Sequence, residues 1–205
     1  MKNQMNRKIL LIDDEIRSNR IIDKGVEKYH IDDNFNLSKI EARTEALFPD
    51  THADKCSKII FKYVKEKVLL VNFVIKGEDD GRLDKFLCAL YYASIFDFNV
   101  INISVGITKK ISLNRMHTYI KKIVSRNSRI VAAYDNASKN TFPASFNEVI
   151  GCIADENAIN YYQLNNKYYL KGCHCIRDNY GKVVFTSSSN SFAAAYMTSF
   201  LINQR

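Results

Sequence analysis

Four short segments carry side chains able to share one reaction. Lys8-Ile-Leu-Leu-Ile-Asp13-Asp14-Glu15 delivers carboxylates at the end of an apolar run, and Asp50-Thr-His52-Ala-Asp54-Lys-Cys56 sets an imidazole at the start of a helical pattern. Arg129-Ile-Val-Ala-Ala133-Tyr-Asp135-Asn136 ends a second apolar run in an amide, and Asn190-Ser191-Phe192-Ala-Ala-Ala puts a hydroxyl where an apolar helix begins. A serine hydroxyl is a weak nucleophile until a base takes its proton. An imidazole serving as that base needs a carboxylate to fix its tautomer and steady the imidazolium. The oxyanion formed by attack on a carbonyl needs a donor already in place. Ser191, His52, Asp13 and Asn136 are of the right types for these four roles. Singly, each has an inert reading: Ser191 as a helix cap, His52 as a histidine without chemistry, and Asp13 as one of a pair of magnesium-binding acids.

These segments belong to an alternation of patterns. The short β-branched runs at 8–12, 67–75, 99–104, 129–133 and 149–153 predict buried strands. Between and after them, 54–66, 82–96, 112–125 and 191–203 place apolar residues at three- and four-residue intervals and predict helices. The fold class expected is α/β, a doubly wound, mostly parallel sheet with helices on both faces, whose functional groups gather where strands end and helices begin. Tyr-rich 161–175, with Asn165-Asn166 in its middle, predicts an appended β-hairpin. At 205 residues and 46% hydrophobic, one domain over 1–205 is expected.

Paired acids after a first strand also begin response-regulator receivers. The stretch Val68-Leu-Leu-Val-Asn72, followed by acids in its loop, resembles the strand bearing a receiver's phosphorylated aspartate. Asn72 stands at that position, and an amide accepts no phosphoryl group.

Taken in order, the four segments resemble the subtilase (peptidase S8) family of serine endopeptidases. Val131–Asn136 with Phe142-Pro-Ala-Ser-Phe-Asn-Glu-Val-Ile150 is similar to the family's oxyanion-asparagine strand and Pro-Ala-Ser loop, and Asn190-Ser191-Phe-Ala-Ala to its nucleophile motif. Ile101-Asn-Ile-Ser104-Val105-Gly106 is similar to one wall of the cleft that holds the residue before the scissile bond. The resemblance implies a catalytic trio of Asp13, His52 and Ser191, an oxyanion donor in Asn136, and substrate contacts at Asp14, Ser104, Val105, Gly106 and Ala133. It implies no cofactor and no metal at the site. The second aspartate, Asp14, implies a preference for Lys or Arg two residues before the cut, with Asp54 or Asp135 adding to it, unless Asp14 merely caps the next turn. Cys56, one helical turn past His52, resembles the free thiol beneath the imidazole in relatives similar to proteinase K.

Several positions depart from the family pattern. Glu15 and Asp135 replace glycines, Ala53-Asp54 and Ser189-Asn190 each replace Gly-Thr, and Ala195 replaces a proline. Side chains at glycine positions predict backbone strain and a distorted oxyanion pocket. A catalytically silent peptide-binding protein is therefore the alternative reading.

The bulk properties narrow the setting. Five scattered cysteines without an export pattern favour reduced thiols and the cytoplasm. No run approaches the roughly 20 apolar residues of a membrane span. The formal charge of +8 is spread without an aromatic-interleaved basic motif, which argues against nucleic acid and suits an acidic peptide partner. Cys173-His174-Cys175 offers soft ligands, but tetrahedral zinc needs a fourth. The expected substrate is a peptide or protein, with leader removal from a precursor peptide as one task, and no folding propeptide is expected.

Overall fold

The computed structural model describes residues 7–41, 48–75, 79–108, 112–137 and 141–204, with backbone alone at 79–81. Residues 76–78 of the acidic loop and 138–140 of the loop after Asn136 lie outside the described residues.

At the centre runs β1 (Arg7–Asp13), bonded in parallel to β4 (Val68–Val74) on one side and β5 (Val100–Ile103) on the other. Outward from β4 come β2 (Val26–Ile31) and the antiparallel edge β3 (Leu37–Ile40). Outward from β5 come β6 (Arg129–Ala133), β7 (Ile150–Ala154), β9 (Lys167–Leu170) and the antiparallel edge β8 (Tyr161–Leu164). A separate ribbon pairs β10 (Cys175–Arg177) with β11 (Val183–Phe185). The helices are α1 (Asn19–Ile22), α2 (His52–Tyr63), α3 (Asp79–Ala93), α4 (Leu113–Val124) and α5 (Asn190–Asn203).

Successive strand side chains point to opposite faces, so a strand covered on both sides must be apolar throughout. β1 shows this directly. Ile9 and Leu11 join a core with Ile59 and Ile60 of α2 and Ala193–Ala195 of α5, whereas Leu10 and Ile12 join a second core with Phe86 and Leu90 of α3 and Ile120 of α4. Helices therefore cover both faces, as the sequence predicts. α5 is buried nearly all round and packs on β5, β6, β7 and α2.

All five predicted strands and all four predicted helices are present, with ends shifted by a few residues. α2 starts at His52 itself because Thr51 and Asp54 form a reciprocal capping box. β2 and β3 escaped the sequence pattern. Of β2 only Lys28 and Ile31 are buried, and a buried lysine paired with Glu15 at 3.1 Å breaks the apolar alternation. The hairpin forms, with both Asn165 and Asn166 at positive φ. It ends at Leu170 and is not an appendage: β9 bonds to β7 and extends the main sheet, while Cys175 passes into β10.

Candidate active site

β1 lies where the strand order reverses, and the predicted residues gather beyond the carboxyl ends of β1, β5 and β6, as open α/β sheets dictate. Asp13 closes β1 and is 2% exposed. The turn after it is clamped by Asn72, fully buried on β4. Its Oδ1 accepts from Ile16 N at 3.1 Å, and its Nδ2 donates to the carbonyls of Leu11 and Asp14 at 3.3 and 3.2 Å. The amide at the receiver-like position thus spends both of its donors and its oxygen on holding the end of β1 and the acidic turn.

The start of α2 is tied to the same turn. Asp54 is 0% exposed and accepts from Arg17 N, Ser18 N and Thr51 N at 2.9, 2.8 and 3.0 Å, while Thr51 Oγ1 donates to the Glu15 carbonyl at 2.9 Å. The expectation that Asp54 helps attract a basic substrate is corrected: a buried carboxylate already holding three N–H groups faces no solvent. Asp14 accepts from Ala53 N at 2.7 Å and His52 N at 3.3 Å, so it does cap α2. Burial, then repulsion from Asp13, raises its pKa against those N–H bonds.

These ties bring His52 Nδ1 to 2.9 and 3.0 Å from the two Asp13 oxygens. The imidazole stacks on Phe192, ring centroids 5.5 Å apart. Cys56 lies beneath, its Sγ 3.8 Å from Nδ1 and 3.7 Å from Ser104 Oγ. Burial raises the Cys56 thiol, which is therefore uncharged near neutrality. Burial also works against the imidazolium, but the field of Cys56 and the hydrogen bond and charge of Asp13 outweigh it, and the His52 pKa is raised. With Cys56 neutral, the Asp13 carboxylate is the lasting cause.

Ser191 is the second residue of α5, and Ser189 Oγ accepts from its N–H at 3.3 Å as the helix cap. Its hydroxyl donates to the Ser104 carbonyl at 3.5 Å, and no hydrogen bond joins it to His52 among the described residues. The structure thus pairs Asp13 with His52 and leaves Ser191 beside them, its hydroxyl on the wall strand.

The amide of Asn136 is oriented by the same helix. Its Oδ1 accepts from Asn190 N at 3.2 Å, which turns its Nδ2 donors the other way. Asn190, a departure from the family pattern, is 8% exposed and stitches the loop to the helix. Its Nδ2 donates to the carbonyls of Tyr134 and Asp135 at 3.0 and 3.4 Å, and its Oδ1 accepts from Ala154 N at 2.7 Å. The strain expected at Glu15 and Asp135 is corrected as well, since neither has positive φ. Glu15 pairs with Lys28, and Asp135 donates its N–H to Thr141 Oγ1 at 2.9 Å.

Ser104, Val105 and Gly106, the expected cleft wall, follow β5 directly, and Ala133 ends the neighbouring β6. Ser104 Oγ donates to Asn102 Oδ1 at 3.0 Å, and buried Asn102 donates to Thr198 of α5 at 2.8 Å, which locks this wall to the nucleophile helix. A Cβ on Gly106 would lie 3.7 Å from the Ala133 carbonyl and 2.3 Å from the Thr141 methyl. Thr141, 0% exposed, therefore packs its side chain directly against Gly106, and mutual backbone bonds of Ile107 and Phe142 at 2.8 and 2.9 Å tie the two segments together. Sequence reasoning missed Thr141, Asn102 and the holding role of Asn190. The only signal was their adjacency to motif residues.

Asp13, His52 and Cys56 offer ligand atoms within 4.8 Å of one another, but these are the groups the proton relay needs. At the other candidate metal segment, the His174 nitrogens meet Tyr63 Oη at 3.2 Å and the Lys171 carbonyl at 3.0 Å, and Cys173 Sγ meets the Thr186 carbonyl at 3.0 Å. Burial lowers the His174 pKa to about 4, so that ring is neutral.

No family model and no curated protein matches the sequence. Solved structures do match, and they carry the subtilisin-like protease fold. The epidermin leader peptide processing serine protease from Staphylococcus aureus superposes with a TM-score of 0.69 at 15% identity, over 95% of this chain and 63% of that one. The nisin leader peptidase from Lactococcus lactis gives 0.69 at 13% identity, over 95% and 76%. The prenylagaramide maturation protease gives 0.66 at 12%, over 96% and 74%. The chain spans somewhat less than two thirds of the epidermin protease. At these identities the likeness establishes the fold, and the side chains must speak for the chemistry.

Proposed function

We propose that the chain is a subtilisin-like serine endopeptidase that cuts a precursor peptide. The observation that carries this reading is the Asp13–His52 pair at 2.9 Å, with its ring stacked on the residue that follows Ser191. In the reaction, His52 Nε2 takes the Ser191 proton as Oγ attacks the scissile carbonyl. Asp13 holds Nδ1–H and steadies the imidazolium, which then protonates the leaving amine. Asn136 Nδ2 and the Ser191 backbone N–H, at the positive end of α5, receive the oxyanion. Water, deprotonated by His52, releases the acyl group and restores the serine. Ser104–Gly106 and Ala133 hold the residue before the cut, and Thr141 between them favours a small one. Half-exposed Asp14 supplies negative charge for a Lys or Arg two residues before the cut.

Peptide maturation is supported by the structural neighbours, among them two leader peptide proteases and a maturation protease. A cytoplasmic setting is supported by five free cysteines, and no described helix is long and apolar enough to cross a membrane. One observation favours the alternative of a silent peptide binder: the Ser191 hydroxyl bonds to Ser104 rather than to His52. Labelling with a fluorophosphonate separates the two. Covalent modification at Ser191, lost in His52→Ala, supports the enzyme; an unlabelled chain supports the binder.

A further inference from the structure

On the α2 side of the sheet, away from the Asp13–His52 pair, a groove of about 550 Å³ runs between α1, α2 and the β10–β11 ribbon. Its floor is aliphatic, with Ile21, Ile176 and Val183, the last of them 59% exposed. Its rim carries Arg20, Lys24, Lys62 and Arg177, all exposed. No described carboxylate forms an ion pair with any of these four. Lys24 lies over the Phe61 ring at 5.6 Å, Lys62 lies over the Tyr63 ring at 5.2 Å and donates to the Cys175 carbonyl at 2.7 Å, and Arg177 donates to the Gly181 carbonyl at 3.2 Å. Arg20 lies against the same Gly181 turn. The fifth cation, Lys58, is already neutralised by Asp50 at 2.6 Å and belongs to the wall. The nearby Asp178 accepts from Lys182 N.

We propose that this groove docks an acidic, aliphatic segment of a peptide, the same molecule whose cleavage site reaches Ser191. Four cations without an ion pair among the described residues ring an apolar floor, and the complement of that arrangement is a chain that alternates carboxylate and aliphatic side chains. Exposed β11 presents Val183 and Phe185 on one face, as a strand inviting an extended partner does. Lys58 and Lys62 lie about 9 and 15 Å along α2 from His52 at 1.5 Å per residue. An extended chain covers that with roughly three to five residues at 3.3 Å each, so the docked segment lies at least that far from the cut.

The docking claim concerns binding, and rests on the peptidase reading only where it assigns groove and cleavage site to one molecule. The test uses the whole chain as Ser191→Ala and a short fluorescein-labelled peptide alternating Glu and Leu, followed by anisotropy at low salt. Saturable binding is expected, weakened at least about tenfold in Lys24→Glu/Arg177→Glu and about threefold in the neutral Lys24→Gln/Arg177→Gln. Binding should also fall as salt rises. The remote pair Lys121→Glu/Lys122→Glu on α4 should bind as the parent does. Binding that survives charge reversal in the groove, or falls equally in the α4 variant, overturns the proposal. So does displacement by duplex DNA or anionic vesicles at lower concentration than by unlabelled peptide. In the active chain, appending the acidic segment to a fluorogenic peptide should lower KM several-fold and leave kcat unchanged. Fluorophosphonate labelling without peptide binding removes the groove and keeps the enzyme, and peptide binding without labelling does the reverse.

Discussion

Asn190→Ala tests whether the oxyanion donor is held by the nucleophile helix. The substitution removes the acceptor of Ala154 N–H at 2.7 Å and the donor to the Tyr134 carbonyl at 3.0 Å, in a residue 8% exposed. Each buried group left unpaired costs about 1–3 kcal/mol. A loss of about 2–4 kcal/mol is therefore expected, a fall in Tm of about 5–15 °C for a chain of this size. The backbone bond from Asn190 N to Asn136 survives, but the loop that carries Asn136 loses its ties at Tyr134 and Asp135. Full loss of an oxyanion donor is worth about 2.7–4 kcal/mol of barrier. Partial misplacement should slow fluorophosphonate labelling of Ser191 by about 10- to 100-fold. Asn136→Ala should slow it at least as much with little change in Tm, because Asn136 is exposed. If Asn190 acts through Asn136, the double variant labels no more slowly than Asn136→Ala alone. Slowing factors that multiply, or an unchanged rate in Asn190→Ala, would refute this account.

Thr141→Gly should open the space between Gly106 and Ala133, so that a peptide series with growing side chains before the cut shows higher kcat/KM for the larger members. A fixed preference for small residues would mean that Thr141 does not line the cleft. Because the His52 pKa is raised above its usual 6.5, the neutral base accumulates only at higher pH, and the rising limb of kcat/KM should lie on the alkaline side of that value. Asp13→Asn should move the limb to lower pH as it lowers the rate. The same shift stabilises the fold fully below the unfolded pKa of about 6.5 and is lost as pH rises through the folded value, which urea titration of wild type against His52→Ala can follow. Asp54→Ala strips partners from three backbone N–H groups and should cost about 3 kcal/mol, read as a Tm lower by about 6–12 °C.

Much of the fold was legible because strands buried on both faces need apolar runs, and β1, β4, β5 and β6 have them, with one buried asparagine each in β4 and β5. β2 was not, because one of its two buried positions is Lys28, and a charge made tolerable by Glu15 looks like a loop in a linear pattern. The chemistry-bearing residues were legible by type and order. The strain expected at Glu15 and Asp135 was not borne out, since φ depends on how a turn closes and not on which residue type is usual there.

By itself the sequence determined the layered α/β architecture and offered Asp13, His52, Ser191 and Asn136 as candidate acid, base, hydroxyl and amide, because periodicity and chemical type are local properties. Only the tertiary structure decided that Asp54 is a buried strut rather than a substrate charge, that Asn190 ties the Asn136 loop and Asn102 ties β5 to α5, and that Thr141 packs on Gly106. It alone brought Arg20, Lys24, Lys62 and Arg177 around one groove. Each of these depends on residues far apart in the chain meeting in space, and no local pattern encodes such a meeting.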